Sequence, residues 1–215
     1  MDYSDELRKL VIRNMEIIQA APAVVEDTEK ILFDVINTRV KEAVNAKKKW
    51  KGVYSLVTDK DSGEITFAPE SWLVLEDESY GAYYTLEEYS LLNEPTKDIH
   101  WLSCATGAKN SALCFAFKVE KGWSDWAIKE HNNNFEKFYT DNIGLLQKAR
   151  FDLVPSLEPN KSGKRIIRPF KFEAEKLAAE CPGFDEGALT PLDDALKNLF
   201  EVHKEFDSFV ASIKR

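Results

Sequence analysis

The segment Ala112-Leu113-Cys114-Phe115-Ala116-Phe117 constrains the fold more than any other stretch of the chain. A run of apolar residues without polar alternation suits a strand buried on both faces, and such a strand belongs near the centre of a sheet. Its neighbours are expected as hairpins. Gly52 to Val57 and Glu64 to Ala68 alternate apolar and polar residues around the turn Asp59-Lys60-Asp61-Ser62-Gly63. Ile99 to Ala105 is expected to pair with Ala112 to Val119 through Gly107-Ala108-Lys109-Asn110, and Trp72 to Leu75 reads as a further strand. Phe151 to Leu157 and Arg165 to Phe172 flank Glu158-Pro159-Asn160-Lys161-Ser162-Gly163-Lys164 as another hairpin.

Helical spacing appears elsewhere. Ser4 is placed to cap a first helix with acidic residues in its first turn and an apolar series Leu7, Leu10, Val11, Met15 and Ile18. Pro22 is expected to interrupt it before a second helix carrying Ile31, Leu32, Val35, Ile36, Val40, Ala43 and Val44. The lysines at 47–49 and 51 suit the C-terminal end of that helix. A middle helix is expected from about Asn133 to Arg150, and a short one from Glu173 to Glu180. The last helix is predicted to start at Thr190 as N-cap, with Pro191 at its first position. Its stripe of Leu192, Leu196, Leu199, His203, Phe206, Val210 and Ile213 is wide enough to face a core.

Runs of hairpins set between helices, without strand–helix alternation, give an α+β fold. The expected architecture is an antiparallel sheet built from hairpins, packed by two N-terminal helices, a middle helix and a long C-terminal helix. The 215 residues fit one domain, with a helical part over 1–50, a β-rich part over 51–120 and a mixed part over 121–215.

Chemistry is harder to find. The chain has three histidines, and none stands in a paired metal-ligand motif, so no metal or other cofactor is expected. Phosphate-cradling glycine loops, the Gly-x-Ser-x-Gly elbow and the Glu-x-Lys or Asp-x-Lys of metal nucleases are absent. Cys104 and Cys114 would meet across the expected second hairpin with His100 nearby, a pairing able to support nucleophilic chemistry, although cysteines flanked by Leu102, Leu113 and Phe115 also read as packing. Three cysteines without Cys-x-x-Cys spacing, a charged N-terminus and no long apolar run point to a cytoplasmic protein that is not inserted in a membrane.

Two constellations remain as candidate surfaces. Trp72, Tyr83, Tyr84, Trp101, Trp123 and Trp126, with Asp125, Glu130 and His131, are expected as an aromatic ligand or partner surface, because Trp and Tyr with a few polar groups make binding hot spots. Lys161, Lys164, Arg165, Arg168 and Lys171 form a basic patch on one hairpin, where alternation puts Arg165 and Lys171 on one face and Arg168 on the other. A net charge of −8 argues against nucleic acid as the general partner. The expectation is a non-catalytic protein-binding or regulatory protein acting on another protein through the aromatic surface. The alternative is a diverged hydrolase- or nuclease-like enzyme, or a phosphate- or nucleic-acid-binding factor.

Overall fold

A computed structural model describes residues 5–57, 62–73, 80–90, 101–120, 128–155, 163–184 and 186–213. The fold is α+β. Six strands, β1 (Trp50–Val57), β2 (Ser62–Pro69), β3 (Ala82–Ser90), β4 (Ser111–Val119), β5 (Asp152–Pro155) and β6 (Lys164–Phe170), form one antiparallel sheet in the order β1-β2-β3-β4-β6-β5. The apolar run is β4, flanked by β3 and β6, so its central place is as expected. Both hairpins at the ends of the sheet are also as expected: β1 pairs β2 from Trp50↔Pro69 to Val57↔Ser62, and β5 pairs β6 from Asp152↔Ile167 to Pro155↔Lys164.

Eight α-helices are described: α1 (Asp5–Arg13), α2 (Met15–Asn45), α3 (Trp101–Thr106), α4 (Ile128–Asp141), α5 (Ile143–Lys148), α6 (Ala174–Glu180), α7 (Glu186–Glu201) and α8 (His203–Ile213). Alternation along β4 divides the burial. Leu113, Phe115 and Phe117 join the large core that includes Leu32 and Ile36 of α2 and Phe206 of α8. Cys114 and Ala116 face the other side, in a small cluster with Tyr89, Val154 and Ile167. The large core is aromatic, with Phe67 and Phe115 ring centroids 5.5 Å apart and Phe117 and Phe206 4.8 Å apart, spacings at which ring pairs attract beyond their burial.

Several elements depart from the expected ones, each for a local reason. Residues 101–106 are helical rather than a strand, and short apolar runs do not separate the two by pattern alone. The carboxylate Oε1 of Glu29 accepts the Leu102 N–H at 2.8 Å, the Thr106 hydroxyl bonds back to the Leu102 carbonyl at 2.9 Å, and Gly107, at φ 75°, ends the turn. Trp72 closes a 3-10 turn, Glu70–Trp72, that follows Pro69; Leu73 makes a β-bridge to Tyr80, and Val74 and Leu75 lie outside the described residues. Pro22 lies inside α2, on its exposed half, and the break falls at Asn14 instead. The Asn14 side chain donates to the Leu10 carbonyl at 2.7 Å, competing with the helical ladder. Asn142 does the same to Phe138 at 2.9 Å and divides the expected middle helix into α4 and α5.

The last helix starts at Glu186, before the expected cap, and bends at Val202 into α8. Pro191 is therefore interior. Its missing N–H would have served the Gly187 carbonyl, and the Thr190 hydroxyl takes that carbonyl at 3.1 Å. The Ala188 N–H at the head of α7 is capped by Glu180 Oε2 at 3.0 Å. Ser4, the expected cap of the first helix, lies outside the described residues. No described helix is long and apolar enough to cross a membrane.

Candidate functional site

Of the expected aromatic surface, the side chains of Trp72, Tyr83, Tyr84 and Trp101 are described, and these four do not form one surface. Trp72 and Tyr84 are 1% and 0% exposed and belong to the core. Trp72 lies 5.5 Å from Tyr84, and its indole N–H donates to Asp207 Oδ1 at 2.9 Å. Trp101 is half-buried and edge-on to Phe33 at 5.7 Å, packing α3 on α2. Tyr83 points to the other side of the sheet from Tyr84, where its hydroxyl donates to Glu120 Oε1 at 2.6 Å. Trp123, Asp125 and Trp126 lie outside the described residues, and Glu130 and His131 fall in α4. A burial pattern that reads the same for core and rim aromatics hid this division from the sequence.

The two cysteines of the expected Cys–His group lie in different clusters. Cys104 packs in the large core from α3 and Cys114 in the small cluster across the sheet, while His100 lies outside the described residues. Burial pushes both thiols up, the opposite of what a thiolate nucleophile needs. Among the described residues no group of three or more His, Cys, Asp or Glu could hold a metal ion.

The basic patch divides between two sides of the sheet. Lys164 meets Glu136, and Arg165 Nη1 bonds Glu87 Oε2 at 2.8 Å, with Lys118 on the same carboxylate. Lys161 lies outside the described residues. Arg168 is turned to the opposite side from Arg165 and is 3% exposed. Lys171 lies beyond β6, which ends at Phe170, so strand alternation no longer sets its side.

A different surface stands out. From Lys9 to Val24 the helices α1 and α2 form an arm clear of the core, with nearly every residue exposed; the first fully buried side chain among the described residues is Leu32. Leu10, Val11, Ile12, Met15, Ile17, Ile18 and Val24 are seven of the ten large hydrophobics exposed among the described residues, with Ile12 at 73% and Ile17 at 69%. The ladder continues through the Asn14 joint, where Asn14 N–H bonds Leu10 O at 3.1 Å and Ile18 N–H bonds Asn14 O at 2.9 Å. Leu10, Ile17 and Val24 recur every seventh residue, as do Val11, Ile18 and Val25, and the smaller Asn14 and Ala21 fall between these rows. Two apolar rows flanking small residues make a helix face shaped for a second helix. The helical stripe is legible in the sequence; its exposure among the described residues is not.

Comparison with known protein families, with curated proteins and with solved structures gives no match for this chain.

Proposed function

We propose that the protein is a non-catalytic binding protein that docks a partner helix on its N-terminal arm. The exposed apolar rows from Leu10 to Val24 carry this reading. Contiguous apolar patches of more than a few hundred Å² ordinarily mark an interaction surface on a soluble chain.

The occupant that fits best is the arm of a second copy. In an antiparallel register that sets Ile17 against Ile18, Leu10 meets Val25, Val11 meets Val24 and Asn14 meets Ala21. The pairing is self-complementary, as a two-fold interface must be. Small residues along the middle allow close approach.

Light scattering at roughly 50 μM, above a micromolar dissociation constant, should give about twice the 24.6 kDa chain mass. Ile17→Glu should return the monomer by burying charge at the seam, whereas Ile12→Glu, off the seam, should leave the dimer intact. A wild-type monomer at this concentration sinks the proposal, as does a dimer indifferent to Ile17→Glu.

A further inference from the structure

Arg168 is a buried cation in an apolar strand, between Ile167 and Pro169. Its one hydrogen bond among the described residues runs from Nη1 to the neighbouring Pro169 carbonyl; Nε has no partner. No carboxylate lies within ion-pair distance of it among the described residues, although Asp152 and Asp194 favour its charge at longer range. Burial, with Arg150 nearby, lowers its pKa to about 10, so the guanidinium remains charged at neutral pH. A charge so placed is costly unless something pairs with it.

The surroundings of Arg168 are open rather than packed. β5 pairs with β6 only from Lys164 to Ile167. At Arg168 and Phe170 the strand is held by β4 on one side, with no strand on the other among the described residues. A cleft of about 760 Å³ occupies that vacant edge, between the end of α5, the start of α6 and the first turns of α7, and Arg168 lines it. This is the volume range of a small-molecule site.

Two further cations reach the cleft. Arg150 follows α5 in a left-handed conformation, φ 60°, with its N–H on Gln147 O at 2.9 Å and the Phe151 N–H on Leu146 O at 2.8 Å. Glycine is the usual residue for that closure, so a cation here is kept at a steric cost. Lys171 lays its stem over Gly107, where an added Cβ would come within 2.5 Å of Lys171 Cδ. Neither Arg150 nor Lys171 is in an ion pair among the described residues. Lys176, the fourth cation of the cleft, is paired with Glu173 at 2.9 Å. Asp152 and Asp194 complete the charged lining.

We propose that this cleft binds the phosphate monoester of a small hydroxylated molecule, anchored by Arg168 and flanked by Arg150 and Lys171. A guanidinium offers a planar pair of donors that matches two phosphate oxygens, and the two flanking cations suit the remaining charge of a phosphate near −2. Asp152 and Asp194 would repel a bare anion but accept hydrogen bonds from hydroxyl groups, which selects a sugar phosphate or nucleoside monophosphate over inorganic phosphate. The site is independent of the arm.

Thermal melting and calorimetry with glucose 6-phosphate, adenosine monophosphate, glucose, adenosine and inorganic phosphate, each at up to about 10 mM, test it. At least one ester should raise the melting temperature, and its unphosphorylated parent should not. Binding by glucose 6-phosphate alone assigns a sugar phosphate, and binding by adenosine monophosphate alone a nucleotide. Arg168→Met should abolish binding. Should that variant fail to fold, the exposed pair Arg150→Ala with Lys171→Ala keeps the test, with an expected loss of at least about tenfold. The proposal is overturned if neither ester binds better than its parent, or if the double variant binds as tightly as the wild type.

Discussion

His203 shows how far a single side chain can couple this fold to pH. Its ring lies 4.6 Å from that of Trp50 and 5.2 Å from that of Trp72, and its Nδ1 finds no partner. Burial among these rings disfavours the imidazolium and lowers its pKa to about 4, with Asp207 offsetting part of the effect. The unfolded chain, with an ordinary value near 6.5, takes up the proton first. The stability present above about pH 6.5 is therefore lost as pH falls toward 4, by roughly 3 kcal/mol in all. Urea unfolding between these limits checks this: His203→Phe, which keeps the aromatic packing without the titration, should flatten that part of the pH profile. A wild-type profile that is no steeper than that of His203→Phe removes the linkage. The apolar stripe was enough to place His203 at the core; its rings of contact were not legible, because they come from β1 and the 3-10 turn.

The helices and strands were legible where pattern and turn chemistry act together. Both outer hairpins and α6 lie where alternation and turn residues place them. The misreadings arise where one side chain or a distant cap decides. Pro22 and Pro191 read as boundaries, yet both lie inside helices, and at Pro191 the Thr190 hydroxyl supplies the bond that proline cannot. Asn14 and Asn142 read as ordinary helical residues, yet each side chain bonds the carbonyl four residues back and marks a kink in its helix, with φ −119° and −115° respectively. α3 depends on Glu29, 73 residues away in sequence, which no local pattern reveals. Thr190→Val should cost about 1 kcal/mol in denaturant unfolding by leaving the Gly187 carbonyl without that donor, while Thr190→Ser should cost less. Equal losses in the two variants would show that the hydroxyl does not compensate Pro191.

For the molecule as a whole, the candidate sites were legible only in fragments. The sequence places Arg168 and Lys171 in one basic segment, but Arg150 joins them at the cleft from the end of α5, and no spacing in the sequence anticipates that. The sequence suggests the aromatic residues as one group, and Trp72 and Tyr84 are grouped, but inside the core. Composition did not reveal the arm's exposure, because an apolar helical stripe looks the same whether or not something packs on it.

One consequence follows from the division of α2 between a fastened half and a free one. Near Val44 the helix lies in the core, and Arg39 is forked onto Asp193 at 2.8 and 2.9 Å; toward Met15 little but its own ladder holds it. Amide hydrogen exchange should thus slow along this one helix from its start to its end, from local fraying to the rate of global unfolding. Association through the arm should slow exchange only in the first half, and a stabilising ligand in the cleft only in the second. Read amide by amide, α2 is an internal gauge that separates assembly from folding within a single spectrum, and uniform exchange along its length would mean that the two halves open together.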